Sequence, residues 1–229
     1  MIGLIFATPR EAEPLRRLTI GSAGPLLPAP ICPAPDDRNA PCPTWLFRAD
    51  GEQIAAAICG IGKAAAAAGV RYLLERLRVS AIINAGICGA ADDSVTVGAV
   101  YRVGEVCDAD APALAALDCP ASRWSHLPPV RLVTSGEPVF EANRRLEISR
   151  MGSVIDMEGY AIADACRRAS VSCCLLKGVT DMADETGRAS MEKNIDHVSA
   201  RVADVLIRGL EHTGLTKTTE YFNRQDLQD

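Results

Sequence analysis

Short apolar runs alternate along this chain with Ala-rich stretches that carry charge on one side, and the alternation predicts strands and helices in turn. Ile2–Thr8 has no polar position before its end and predicts a strand buried on both faces. Pro9–Leu18 predicts a helix, because proline suits a first turn and Glu11 and Glu13 lie on the favourable side of the dipole. Trp45–Arg48 and Gln53–Cys59 flank Asp50-Gly51, a pair that predicts a tight hairpin.

Cys59-Gly-Ile-Gly-Lys63 leads into Ala64–Ala68, which predicts a strand, a glycine turn and a helix N-terminus. Ala81–Gly86 predicts a further buried strand ending in a turn over Gly86–Gly89. Val97–Val106 predicts another, with Gly98 and Gly104 marking bulges or bends. Strand at Arg131–Thr134, helix at Glu141–Met151, an Ala-rich crossover helix from Gly159 to Ser170, strand at Val171–Val179 and a long helix at Met191–Leu210 complete the pattern. The Pro- and Ala-rich stretch 109–129 predicts no element, and in an enzyme a long loop there could cover a site.

The expected class is α/β: a three-layer αβα sandwich around a central mixed, mostly parallel sheet. One domain over residues 1–212 accounts for the length, with a polar tail over 213–229. Residues 19–43 hold seven of the fourteen prolines and predict an extended loop inside that domain, since the segment before it is too short to form a core.

Composition narrows the partners. Of the 229 residues 48% are hydrophobic, enough for one large core, and a net charge of −5 with dispersed basic residues argues against nucleic acid. The opening apolar run is too short for a membrane span or a leader, so a cytoplasmic location is expected. The nine cysteines include no Cys-x-x-Cys pair, and Cys59, Cys107, Cys173 and Cys174 read as small hydrophobes in strands. Cys32 and Cys42 fall in the Pro-rich loop, where a redox role is open. His126, His197 and His212 lack metal or triad spacing, so no metal site is expected. Lys63 follows a glycine turn, yet the phosphate-loop pattern Gly-x-x-x-x-Gly-Lys-Ser/Thr is absent.

The chemistry concentrates at two strand ends, Asp156-Met157-Glu158-Gly159 and Val179-Thr180-Asp181. Open α/β sheets bind ligands where strands run out into loops, and a carboxylate pair there can grip a sugar diol and protonate a leaving base. Taken singly, Glu11 and Glu158 read more readily as solvated first-turn helix acids, and Asp181 equally well as a turn residue or N-cap.

Five stretches in order carry a family resemblance: Ile2–Ala12, Cys59–Ala66, Ile82–Gly89, Asp156–Ala161 and Gly178–Asp184. With them the chain resembles the nucleoside phosphorylase and nucleosidase superfamily, most closely the 5′-methylthioadenosine/S-adenosylhomocysteine nucleosidases. The resemblance implies that Glu11 activates the attacking water and that Asp181 protonates the departing purine. It implies that Glu158 holds the ribose hydroxyls over Met157, and that Ile87, Cys88, Gly89, Val139 and Phe140 line the base pocket. Ile61, Thr180 and Met191 stand as further lining positions. It implies no organic cofactor, a small nucleoside and water (or phosphate) as reactants, and a homodimer or larger homo-oligomer.

Where superfamily phosphorylases carry a phosphate-binding glycine segment after the first strand, this chain has Thr8-Pro9-Arg10-Glu11, and Asn84–Gly89 contains no arginine. Hydrolysis is therefore the expected reaction. Val139 stands where nucleosidases place an aromatic against the base, and the first and fourth stretches also resemble futalosine hydrolases. Phosphorolysis, including that of an adenosyl-linked lipid, and nucleoside binding without turnover are the alternatives.

Overall fold

In a computed structural model, residues 1–21, 43–111, 117–118 and 123–211 are described. Calls on residues 22–42, on Cys32 and Cys42, on most of 112–122 and on the tail from His212 lie outside them. The element order is β1 (Ile2–Phe6), α1 (Pro9–Gly21), β2 (Thr44–Ala49), β3 (Glu52–Ile58), α2 (Lys63–Leu77), β4 (Ala81–Ala90) and β5 (Val100–Asp108). It continues with β6 (Leu117–Asp118), β7 (Pro129–Thr134), α3 (Ala142–Ser149), β8 (Val154–Asp156), α4 (Gly159–Arg168), β9 (Ser172–Asp181) and α5 (Gly187–Glu211).

The sheet is mixed and mostly parallel. Parallel pairings join β3 to β1, β1 to β4, β4 to β9, β5 to β7 and β7 to β8. Antiparallel pairings join β2 to β3, β4 to β8, β5 to β6 and β5 to β9. Because β4 pairs with β9 along its length and with β8 only at Gly89 and Ala90, the strands β4, β9, β5, β7 and β8 close into a ring. Strands β3, β1, β4 and β9 run in one direction, so their C-terminal ends share one edge.

Helices cover both faces, as the apolar periodicity requires. Ala66, Val70 and Leu73 of α2 and Ile162, Ala163 and Cys166 of α4 enter one buried core. Ala12 and Leu15 of α1 join Val198, Val202, Leu206 and Leu210 of α5 in the other. Asp50 and Gly51 have φ of 48° and 79°, the two positive values that a two-residue type I′ hairpin needs.

Several sequence boundaries move. Helix α1 runs through Gly21, so the first residues expected in the Pro-rich loop are helical. The Gly86–Gly89 segment is no turn: β4 continues through it to Ala90 and absorbs the irregularity as a register shift between Cys88 and Gly89. Strand β5 begins at Val100, after Gly98 at φ 87°, and Gly104 sits at its bulge, where the pairing with β7 shifts. Helix α5 starts at Gly187, one turn before Met191, and α3 is shorter than expected. Within the unassigned 109–129 stretch, Trp124 is fully buried and donates its indole N–H to the Val205 carbonyl at 2.9 Å, docking that segment on α5.

Candidate active site

Glu11 is held by the turn that starts its own helix. Thr8 Oγ1 accepts the Glu11 amide at 3.2 Å, and Glu11 Oε2 accepts the Thr8 amide at 2.9 Å, which is a reciprocal capping box. The Ala7 amide reaches the same oxygen at 3.0 Å. With Oε2 so occupied, Oε1 turns toward β4, 3.4 Å from the Ile87 amide. The residue is buried, and burial raises its proton affinity while Lys177 and the surrounding amides oppose that rise. The solvated first-turn acid that the sequence also allowed is excluded.

Lys177 lies at the middle of the cluster. A Cβ at Gly86 would sit 3.4 Å from Lys177 Nζ and 3.6 Å from Glu11 Oε1, so ammonium and carboxylate converge on one point of β4. Lys177 Nζ donates to Asp156 Oδ2 at 2.8 Å. Asp156 is fully engaged: the same oxygen accepts the Gly159 amide at 2.9 Å, and Oδ1 accepts the Thr134 hydroxyl at 2.7 Å. Burial alone would push the Lys177 ammonium down, but Asp156, Glu158 and Glu11 outweigh it and hold it above its ordinary value.

Because Asp156 serves the start of α4, Glu158 at the N-cap position makes no side-chain cap of its own. It reaches across to α2 instead, and its Oε1 accepts the Gly62 amide at 2.7 Å. Gly62 has φ 95°, a conformation a larger residue rarely adopts, and this aims its N–H at the carboxylate. Burial, with the Asp156 charge added, pushes Glu158 up to about 7. Around one ammonium stand three buried carboxylates. Ionising all of them would leave an excess of negative charge out of water.

Asp181 ends β9. Its Oδ1 accepts the Ala183 amide at 2.8 Å and its Oδ2 the Thr180 hydroxyl at 2.7 Å. Ala183 has φ 52°, a strained value for a residue with a Cβ, and it bends the chain so that this amide turns back. Burial raises the Asp181 proton affinity, against the pull of both donors. A Cβ at Gly89 would lie 3.1 Å from Asp181 Oδ1, and one at Gly187 would lie 3.1 Å from the same oxygen and 2.9 Å from the Phe140 ring. Phe140 thus flanks the acid, with the Arg188 guanidinium 5.0 Å from its ring centre.

Glu11, Ile87, Cys88, Gly89, Glu158, Thr180, Asp181 and Phe140 are thereby linked at one edge of the sheet. Val139 is buried in a small core with Ala91, Cys107, Val133, Ile148, Ile155 and Ala183. Ile61 is exposed on the glycine turn beside Gly62, and Met157 is half-buried between the two acids. Met191 is half-buried on α5, one turn before Asn194, whose amide donates to the Thr180 carbonyl at 2.8 Å. His126 and His197 are exposed. Lys63 is bound to Asp108 and Asp110 at 2.5 and 2.8 Å.

Sequence reasoning missed Lys177, and its signal was there: one charge inside a strand otherwise fit for burial on both faces. It also missed the capping box, although Thr8-x-x-Glu11 spells it.

The phosphorylase superfamily model matches residues 1–118 and 125–211. A 5′-methylthioadenosine/S-adenosylhomocysteine nucleosidase of Psychromonas ingrahamii is 25% identical over 196 residues, covering 73% of this chain and 84% of that protein. The Helicobacter pylori nucleosidase of the same description superposes with a TM-score of 0.79 at 17% identity, covering 92% of this chain and 97% of that one. Futalosine hydrolase of Helicobacter pylori gives 0.78 at 17%, covering 91% and 96%. The Neisseria meningitidis nucleosidase gives 0.77 at 18%, covering 92% and 98%.

Proposed function

This chain belongs to the phosphorylase superfamily, and we propose that it is a nucleosidase that hydrolyses the N-glycosidic bond of a 5′-modified adenosine-type nucleoside. The observation that carries the reading is the posture of Glu11. Its Oε2 occupies the Ala7 and Thr8 amides, the backbone donors an anion would need after β1, and its Oε1 faces the interior beside Lys177. A carboxylate in that place repels phosphate and can take a proton from water. Arg10, the cation in the same segment, points away: its guanidinium lies 2.6 Å from Asp196 and 2.7 Å from Glu192 on α5.

The reaction then uses the three acids separately. Asp181 gives its proton to a ring nitrogen of the base as the C1′–N bond breaks and the bonding pair leaves with the base. Positive charge develops on the ribose ring, where Glu158 accepts hydrogen bonds from the sugar hydroxyls and the negative field of the cluster stabilises it. Water adds to C1′ and its proton passes to Glu11. Burial suits Asp181 and Glu11 to their parts, since both bind protons more tightly than an exposed carboxylate. Met157 packs under the sugar in this reading. Ile87, Cys88, Gly89, Val139 and Phe140 form the base side, Ile61 and Met191 line the remainder, and Thr180 is buried behind Asp181.

A futalosine-type nucleoside is the second substrate reading, favoured by a superposition on futalosine hydrolase as good as those on the nucleosidases. The proposal extends to a homodimer or larger homo-oligomer, supported by Ile61, a large apolar side chain 61% exposed beside Glu158's partner Gly62. It extends also to the cytoplasm, where the buried thiols of Cys88, Cys107, Cys166 and Cys174 would stay reduced. No helix among the described residues is long and apolar enough to cross a membrane.

The test is incubation with a nucleoside panel, with and without phosphate, followed by chromatography of base and sugar. Free base and free sugar without phosphate are expected. Strict phosphate dependence would establish a phosphorylase, and ligand-induced thermal stabilisation with no product in any buffer would establish a binding protein.

A further inference from the structure

Thr180 sits between two acceptors and has one proton. Its Oγ1 lies 2.7 Å from Asp181 Oδ2 and 3.2 Å from the Cys88 carbonyl, and the side chain is fully buried, so no solvent competes. A hydroxyl donates once and accepts twice, so only one of these contacts can carry the Thr180 proton at a time. The surroundings are fixed. Asn194 holds the Thr180 carbonyl, and the Ala183 amide holds Asp181 Oδ1, which leaves Oδ2 as the oxygen that takes and gives a proton.

We propose that Thr180 is a positioning residue, a two-position hydroxyl that turns from Cys88 to Asp181 as Asp181 changes from acid to carboxylate. With Asp181 protonated, its Oδ2–H donates to Thr180 Oγ1, and the Thr180 proton lies on the Cys88 carbonyl. When base and acid meet, the Oδ2 proton turns to the ring nitrogen and leaves Asp181 with a full negative charge. The Thr180 hydroxyl then rotates from Cys88 and donates to Oδ2. The proton given to the base is Asp181's own, and Thr180 neither gains nor loses one. A hydrogen bond to a charged acceptor is about twice as strong as a neutral one, so the rotation favours the state formed during cleavage over the resting state. Thr180 acts on Asp181 and touches no substrate atom in this role.

The charged and titratable groups facing Asp181 do not substitute for the hydroxyl. Asp184 on its own loop opposes ionisation and is held by Thr186. The Cys88 thiol of β4 points to the Gly178 carbonyl. On the α5 side stands Gly187, and the neighbouring Arg188 guanidinium lies on Phe140; Arg145 of α3 acts on Asp184.

This inference rests on the nucleosidase reading for its catalytic meaning, so the test has an arm that needs no substrate. The full chain is labelled with ¹³C at aspartate carboxyls and titrated by NMR, with Asp181→Asn identifying the resonance. In Thr180→Val the Asp181 resonance should titrate about one pH unit higher than in wild type, and Thr180→Ser should return it. Thr180→Ala removes the hydroxyl with a smaller side chain and should give the same shift, should valine disturb the fold. In turnover, Thr180→Val should lower kcat about tenfold with KM within twofold, and the alkaline limb of the pH–rate profile should move up with the NMR titration. An unchanged Asp181 titration in both hydroxyl-free variants, or no recovery in Thr180→Ser, overturns the proposal. A shifted titration in a protein that cleaves no nucleoside supports the hydroxyl pairing and sinks the nucleosidase reading instead.

Discussion

Lys177 and Asp156 form an ion pair 2.8 Å long with 2% and 1% of their side chains exposed, beside Gly86 of β4, the residue that pairs with Lys177. Removing water from two charges costs several kcal/mol for each, and here the loss is offset by the pairing and by the Thr134 and Gly159 donors that complete the Asp156 shell. Lys177→Met leaves the Asp156 and Glu158 charges facing each other without a cation. It should lower unfolding free energy by about 3–5 kcal/mol, measured by urea denaturation. Lys177→Met with Asp156→Asn should cost less than the sum of the two single changes; simple additivity would remove the pair from the account.

Asp181→Asn keeps the shape and the acceptor for the Ala183 amide, and removes the acid. Turnover should fall by about 10²-fold or more in kcat, with the folded state intact by circular dichroism. The loss should be smaller for nucleosides whose base leaves without protonation; an equal loss would argue against an acid role.

Glu11→Gln should lower kcat by about 10²-fold or more, and added phosphate should not restore it. Glu11→Ala vacates the Ala7 and Thr8 amides. Formate, a small carboxylate able to enter that space, should then recover part of the activity in a concentration-dependent way, read as base release. No recovery at any concentration would count against Glu11 as the base.

The raised Glu158 links stability to pH. An acid whose folded value lies above its unfolded one binds more protons when folded, so its contribution is full below the unfolded value and is lost as pH rises through the folded one. For Glu158 the window runs from its ordinary value of 4.5 to about 7. Glu158→Gln should therefore be more stable than wild type at pH 8, by about 1–3 kcal/mol, and the gap should close toward pH 5. A gap that stays constant between the two would mean that Glu158 titrates normally.

Much of this molecule was readable before any coordinates. The hairpin follows from Asp50-Gly51, the helix start after Gly62 from a glycine turn before five alanines, and the sheet's helix-covered faces from runs such as Ile2–Phe6 that lack polar alternation. Glu158 and Asp181 stood out because each follows an apolar run, and Glu11 through the family resemblance carried by Ile2–Ala12. Those features are local: a few neighbouring residues fix φ, propensity and the direction in which a side chain is buried.

What only the tertiary structure decided is which groups meet. Glu11 and Lys177 lie far apart in the chain and converge on Gly86 because β1 and β9 both pair with β4, on opposite sides and in parallel. The continuation of β4 through Gly86–Gly89 was hidden because its partners β8 and β9, which satisfy its backbone there, come later in sequence. The proton affinity of Glu11 and Glu158 was likewise beyond the sequence, since it depends on the water each one loses and on the Lys177 ammonium beside them. Burial and Coulomb energy are sums over neighbours in space, and a linear pattern names those neighbours only when they are also near in the chain.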